Sequence, residues 1–180
     1  MIRFPMQKLL RDSRATAVIE LALIAPIVAL TVVGIADMSN AFSRKLGLEQ
    51  GAQRAIEKIM QTTEDSTVEN TLAAEAVCQV NGTDSAGVCK TSPITTSDVT
   101  VTFRADCTTT STNAVTTRTT TDSGTYDTWT TAGCPVGSTL STYISITVLD
   151  KYTPMFPLHF SALDSDGTYH LSATAGMRTS

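Results

Sequence analysis

The apolar run between Arg14 and Asp37 constrains this 180-residue chain more than any other feature of its sequence. The run reads ATAVIELALIAPIVALTVVGIA, and its only charged residue is Glu20. A helix of these 22 residues is about 33 Å long, which matches the hydrocarbon core of a bilayer at about 30 Å. We therefore predict a basic leader over residues 1–15 and a transmembrane helix over residues 16–37.

The charges on either side of the run predict its orientation. Basic residues dominate before the run and an acidic residue follows it: Arg3, Lys8, Arg11 and Arg14 stand against Asp12, and then comes Asp37. Because basic residues are enriched on the cytoplasmic side of membrane spans, the N-terminus is expected in the cytoplasm and the remaining chain outside. A cleaved signal peptide ending near GIADMSNA is the competing interpretation, but the apolar run is long and the helical pattern continues through that stretch.

A helical pattern continues after the span, over residues 38–62. Small and apolar residues recur there at the spacing of one helix face, with charged residues turned elsewhere: Leu48, Ala52, Ala55, Ile56 and Ile59. This pattern predicts an amphipathic helix that continues from the span and whose apolar stripe needs a cover. Ser66 and Glu69 have the spacing of a capping box and predict a second, short helix.

Three later segments alternate apolar and polar residues, which is typical of half-buried strands. They read DVTVTFRAD, TYISITVLD and TYHLSATAGM. Together they predict a small antiparallel sheet whose apolar face covers the helix stripe. The predicted fold class is therefore α+β, with a long N-terminal transmembrane and amphipathic helix packed on a small antiparallel β-sheet. Residues 63–180 form the sheet domain, including the short helix.

The cysteines all follow the span: Cys78, Cys89, Cys107 and Cys134. None of them has the spacing of a CxxC motif or a metal-binding cluster, and an exported domain lies in an oxidising compartment. We expect Cys78 to pair with Cys89 and Cys107 with Cys134, because each pair closes a local polar loop; free thiols are the alternative. The second loop is rich in threonine and carries Trp129, and its composition fits either a hairpin or a flexible loop.

The sequence carries no recognisable catalytic or cofactor-binding pattern. His159 and His170 are its only histidines, and no nucleophile, metalloprotease or phosphate-loop motif surrounds them. The segment DSDG, from Asp164 to Gly167, lacks the later ligands of a calcium loop, so a tight turn is the better interpretation. We therefore expect no enzyme activity, no cofactor, no metal and no nucleic-acid binding, and an exported enzyme is the least favoured function.

Glu20 lies near the N-terminal end of the span, where an ionised carboxylate costs less than at the bilayer centre. One interpretation is structural, with Glu20 solvated at the cytoplasmic interface or paired with Arg11 or Arg14. The other is a role in processing and assembly. If a peptidase cut between Ala15 and Thr16, a buried Glu20 would pair with the new α-amino group of a neighbouring subunit.

Both ends of the chain resemble a known family. A basic leader, then RATAVIELALIAPIVALTVVGIADMSNAF, then an amphipathic helix is similar to the TadE-like family of the tight-adherence (Flp) pilus system. Near the C-terminus, VLDKYTPMFP and then HLSATAGMR resemble the aromatic and proline-rich stretch and the final strand of that family. Residues 64–140 carry no motif of the family.

The resemblance implies a pilin-like fold and a minor pilin or pseudopilin of the bacterial inner membrane, with a cytoplasmic N-terminus and a periplasmic C-terminal domain. Such a protein takes part in the assembly of tight-adherence pili, together with other pilin or pilus assembly subunits. Trimming by a prepilin peptidase between Ala15 and Thr16 is implied for cut members of the family, whereas others stay uncut as single-span anchors. The alternative function is a membrane-anchored periplasmic binding module, with the Thr-rich loop and Trp129 as its contact surface.

Overall fold

The computed structural model describes residues 13–61, 68–156 and 164–179. Within these residues the elements are helices α1 (Ser13–Gln61), α2 (Val68–Asn81) and α3 (Ser123–Ala132), and strands β1 (Val99–Thr109), β2 (Val115–Thr120), β3 (Ser138–Tyr152) and β4 (Tyr169–Arg178). The strands form one antiparallel sheet in the order β2-β1-β3-β4. Helix α1 packs against β3 and β4. The predicted α+β class, with a long helix on a small antiparallel sheet, is confirmed.

Helix α1 joins the predicted span and the predicted amphipathic helix in one element. It has 49 residues, and at 1.5 Å per residue it is about 74 Å long. Pro26 lies inside α1 and does not end it, although proline removes one intrahelical hydrogen bond. The lower half of α1 (the predicted span) and its upper half (the predicted amphipathic helix) are therefore one continuous helix.

The hydrophobic core lies between the upper half of α1, helix α2 and one face of the sheet. The predicted stripe on α1 is buried at Leu48, Ala52, Ala55 and Ile56, and the side chain of its fifth member, Ile59, lies outside the described residues. The sheet contributes its alternating apolar residues to the same core: Phe103, Ile144, Ile146, Val148 and Ala173. Burying a side chain such as Leu, Ile, Val or Phe stabilises a fold by about 1.5–3 kcal/mol. The sheet therefore covers the stripe, as predicted.

Helix α2 is the second helix that the sequence predicts. Its residues Leu72 and Ala76 are buried against the core. The predicted capping residue Ser66 lies outside the described residues, as does the side chain of Glu69. The predicted helix is confirmed, and the capping box stays a prediction.

Helices α1 and α2 approach each other closely at Gly51. A β-carbon at this position would overlap the side chain of Val80, so only glycine fits without a shift of α2. Nearby, Lys58 Nζ donates a hydrogen bond to Glu75 Oε2 at 2.6 Å. This bond lowers the pKa of the Glu75 carboxyl below its ordinary value. The two helices are thus joined by a close contact and a peripheral ion pair.

The Thr-rich segment between β1 and β3 folds into a strand and a helix. Strand β2 pairs with β1, which is the hairpin alternative, whereas helix α3 is not predicted from the sequence. The Asp122 side chain caps α3 by accepting a hydrogen bond from Thr125 N at 2.7 Å, and the Tyr126 ring stacks on Phe103 at 5.0 Å between centroids. Threonine is a weak helix former, so the Thr-rich composition does not predict a helix here. The only sequence signal for α3 is Asp122, a residue type that is preferred as an N-cap.

Two disulfides close the loops that the sequence analysis assigns to them. Cys78 pairs with Cys89, which ties the end of α2 to the turn that follows it. Cys107 pairs with Cys134, which ties β1 to the segment after α3. Each bond joins two segments of the sheet domain that are near in sequence, so the predicted pairing is confirmed.

Candidate functional site

The lower half of α1, which is the predicted span, is left exposed to solvent by the rest of the described chain. Large apolar side chains are exposed all around it: Val18, Ile19, Leu21, Leu23, Ile24, Ile27, Val28, Leu30, Val32 and Ile35. A continuous apolar surface of this size is rare on a water-soluble monomer. Among the described residues, this is the one helix long and apolar enough to cross a membrane. The helix therefore fits a single-pass membrane protein.

Glu20 lies on this bare surface. Its side chain is exposed and, within the described residues, has neither a hydrogen bond nor an ion pair. It follows Thr16 by four residues, which is about 6 Å along the helix axis. The bond between Ala15 and Thr16 lies in the first turn of α1, and the side chains of both residues are outside the described ones. Cleavage at this bond stays a prediction, and the chain itself supplies Glu20 with no described partner.

The opposite end of the predicted span carries a buried carboxylate, Asp37, whose side chain contacts the segment after β3. Asp37 Oδ1 accepts hydrogen bonds from Met155 N at 2.9 Å and from the Tyr152 hydroxyl at 3.3 Å, and Oδ2 accepts one from Phe156 N at 3.2 Å. Burial, together with the charge of Asp37, raises the pKa of Tyr152. Asp37 therefore holds the end of β3 at the point where α1 leaves the predicted span.

Two further polar residues on the same face of α1 extend these contacts. Asn40 Nδ2 lies 3.5 Å from Met155 Sδ. Arg44 contacts the buried Asp150 through Nε at 2.9 Å and through the terminal Nη2 at 2.8 Å. We call the contacting residues the exit clamp: Asp37, Asn40 and Arg44 of α1 with Asp150, Tyr152, Met155 and Phe156. Because the three α1 residues are spaced by three and four positions, they share one helix face with the apolar stripe.

The exit clamp is not predicted from the sequence. Asp37 is predicted there only as a flanking charge and VLDKYTPMFP only as part of a family resemblance, with no contact between the two. A signal was present, because Asp37, Ala41 and Arg44 continue the spacing of the stripe that begins at Leu48. Polar residues on the buried side of a helix need partners, and the clamp supplies them.

The turn before β4 contains the segment from Asp164 to Gly167, considered above as a calcium loop, and lies next to His170, considered above for catalysis. The predicted tight turn is confirmed, since Gly167 N donates to Asp164 O at 2.9 Å. His170 lies 3.2 Å from Asp164 and 2.8 Å from Asp166, and Lys151 lies 3.1 Å from Asp166. Hydrogen bonds from Thr168, and then from His170 and Lys151, lower the pKa of Asp166.

These charged groups satisfy one another at the surface, which is typical of a stabilised turn. Within the described residues, no group of three or more His, Cys, Asp or Glu side chains is placed to hold a metal ion. His159, the other histidine considered, lies outside the described residues. The arrangement around His170 therefore explains the turn and supplies no argument for a reaction.

Comparison with known proteins bears on the N-terminal third of the chain. Residues 15–56 match the model of the family described as TadE-like protein. This match confirms the resemblance inferred from the sequence over the span, Glu20 and the sheet-facing stripe, and it includes the three clamp residues of α1. Comparison with curated proteins and with solved structures found no match.

Proposed function

We propose that this chain is a TadE-like minor pilin or pseudopilin that takes part in the assembly of tight-adherence (Flp) pili. In this proposal a single span holds it in the bacterial inner membrane, with the N-terminus in the cytoplasm and the sheet domain in the periplasm. The role is structural rather than catalytic. The observation that carries the proposal is an exposed apolar helix with one carboxylate, Glu20, that has no partner among the described residues and lies inside the segment that matches the TadE-like family.

The unpartnered carboxylate supports a role in association. An ionised side chain inside a membrane is costly by several kcal/mol when it has no partner, and the cost is lower near the interface. A cation from a second subunit offsets that cost only when the two helices meet. Glu20 therefore favours helix association in the membrane and gives it a defined axial register.

The nature of the partner depends on processing. If a prepilin peptidase cuts between Ala15 and Thr16, the new α-amino group of a neighbouring subunit is the cation that Glu20 pairs with. If the leader stays, its basic residues supply the cation and the chain acts as an uncut anchor of the assembly machinery. N-terminal sequencing of the protein from membranes distinguishes the two, because a start at Thr16 requires the cut and a start at Met1 excludes it.

The disulfides and the flanking charges support the proposed orientation. Both disulfides lie in the sheet domain, and such bonds persist in an oxidising compartment such as the periplasm. The basic residues before the span are those expected on the cytoplasmic side. The two features, one on each side of the span, therefore favour the same topology.

The test is Glu20→Ala in the native host, with piliation and the membrane level of the protein measured together. We expect normal membrane level and a loss of pili, because the substitution removes the carboxylate and makes the span more apolar. Glu57→Ala is the matched control, since Glu57 is an exposed glutamate on the same helix beyond the span. Unchanged piliation in Glu20→Ala at normal level would overturn the proposed assembly role and favour the periplasmic binding module, with Trp129 as the first residue to substitute.

A further inference from the structure

The end of the sheet where β3 passes to β4 points toward the membrane. Two contacts give the direction of β3 relative to α1. Asp150 contacts Arg44, and Tyr152, two residues later in the strand, contacts Asp37, which is closer to the span. Strand β3 therefore runs antiparallel to α1, and its last residues lie at the level of Asp37. Because Asp37 ends the apolar run, this level is the outer surface of the predicted bilayer.

Two large apolar side chains are exposed at this level. Met155 is 70% exposed and Phe156 is 41% exposed, although the backbone N–H groups of both are held by Asp37. The clamp thus fixes the backbone of both residues; Met155 Sδ also contacts Asn40, and most of the Met155 side chain stays exposed. From Thr153 to Leu163 the sequence contains no Asp, Glu, Lys or Arg. An apolar patch held beside a membrane span is continuous with the surface that the span presents to lipid.

Tyr169 lies at the same end of the sheet, beside the span. Together with α1 residues between Ile27 and Met38 it lines an open, almost wholly apolar recess. The recess reaches from Asp37 back to Ile27, about 15 Å along the helix axis toward the bilayer centre. The Tyr169 ring also stacks on Tyr152 at 6.3 Å between centroids. Tyrosine is enriched at membrane interfaces, where its ring is apolar and its hydroxyl stays wet.

The opposite face of the same sheet end is charged. Lys151 pairs with His170 in the strand register, just as Tyr152 pairs with Tyr169. Because neighbouring residues of a strand point to opposite faces, the tyrosines and the charged pair are on different sides. The sheet end is therefore amphipathic, with its aromatic side toward the span and its charged side away from it.

We infer that this sheet end is a lipid-binding surface. The membrane-seated patch, defined as Met155, Phe156 and Tyr169, inserts into the interfacial layer of the outer leaflet, and lipid acyl chains occupy the recess between Tyr169 and α1. Charged residues on the far side stay in water. The sheet domain thus rests on the bilayer at a fixed height and rotation about α1. This inference rests on the membrane span and not on a role in pili.

The test places a tryptophan in the patch of the full chain, reconstituted singly into nanodiscs of phosphatidylcholine with or without bromine on the acyl chains. Trp129→Phe removes the native fluorophore, and Phe156→Trp adds the probe in that background. The matched control is Val136→Trp in the same background, because Val136 is an exposed apolar residue just before the start of β3, at the opposite end of that strand from Phe156. Bromine quenches tryptophan only at short range.

We expect brominated lipid to lower the Phe156→Trp emission roughly twofold, since an inserted side chain at an interface lies about 5–10 Å deep, and to leave Val136→Trp unchanged. Equal emission of Phe156→Trp in both lipids would overturn the inference. The inference would also be overturned if bromine had no effect and the emission of the probe shifted only when two chains share a nanodisc. That result would show that a second copy of the chain, and not lipid, covers the patch. Tyr169→Trp is the second probe and reports on the recess if Phe156→Trp does not fold. Piliation plays no part in the readout, so a failure here is distinct from a failure of the assembly role.

Discussion

Asp37→Ala is the substitution that most directly tests the exit clamp. The Asp37 carboxylate accepts three hydrogen bonds: from Met155 N, from Phe156 N and from the Tyr152 hydroxyl. Alanine keeps the helix, because it is the best helix former, and removes all three acceptor contacts. The substitution therefore removes one set of contacts between α1 and the sheet end, and leaves the Arg44–Asp150 contact and the core in place.

The size of the effect follows from the exposure of the donors. A hydrogen bond to a charged group contributes about 1.5–3 kcal/mol. Met155 and Phe156 lie at the surface, where water replaces part of each lost bond, so we expect a local loss of about 2–3 kcal/mol rather than the full sum. Since every 1.4 kcal/mol is tenfold, the opened population of this segment should rise about 30- to 150-fold.

Native-state amide hydrogen exchange of the full chain in nanodiscs measures that population at the amides of Met155 and Phe156. Asp37→Asn retains one acceptor oxygen and should give a smaller rise. Asp127→Ala removes an exposed carboxylate from α3 and should leave these amides unchanged. Exchange at Met155 and Phe156 that stays the same in Asp37→Ala would refute the clamp, as would an equal rise in Asp127→Ala.

Two further substitutions test the contact between α1 and α2. Gly51→Ala should lower the free energy of unfolding by about 1–3 kcal/mol, because the new methyl group overlaps α2; Gly47→Ala meets open space and should raise it by about 0.5–1 kcal/mol. Denaturant titration of both variants in detergent measures these free energies of unfolding, and an equal change in the two variants would contradict the close contact at Gly51. For Glu75 the folded pKa lies below the ordinary value of 4.5 because of its lysine partner, so its contribution is present above that pH and is lost as the pH falls through the folded pKa. Glu75→Gln should therefore cost about 0.2–1 kcal/mol near neutral pH and progressively less as the pH falls below 4.5, and a cost that does not change with pH would contradict this assignment.

Local periodicity predicted most of the fold. The stripe from Leu48 to Ile56 repeats at helical spacing, and the residues around Phe103 and Ile146 alternate as strands do, so the elements and their buried faces follow from the sequence alone. The cysteines were predictable for a similar reason, since each pair closes a loop that is short in sequence. Helix α3 was not, because threonine has a low helix propensity and the helix depends on its Asp122 cap and on tertiary contacts such as Tyr126 on Phe103.

The candidate site was predictable only in part. Glu20 stands out because it is the one charge in an apolar run. The exit clamp does not, since its partners are 106 to 119 positions apart in the sequence. Its donors at Met155 and Phe156 are backbone groups, which leave no trace in the identity of a residue. Contacts of this kind depend on the tertiary fold, which places the end of β3 beside the turn of α1 that follows the predicted span.

The continuity of α1 has a mechanical consequence. One uninterrupted helix runs from the membrane through the sheet domain, and the sheet grips it both at the stripe and at the exit clamp. A pulling force or torque on the sheet therefore reaches the span directly, with no flexible linker to absorb it. The same continuous helix carries that force along the whole apolar half of α1, as far as Glu20.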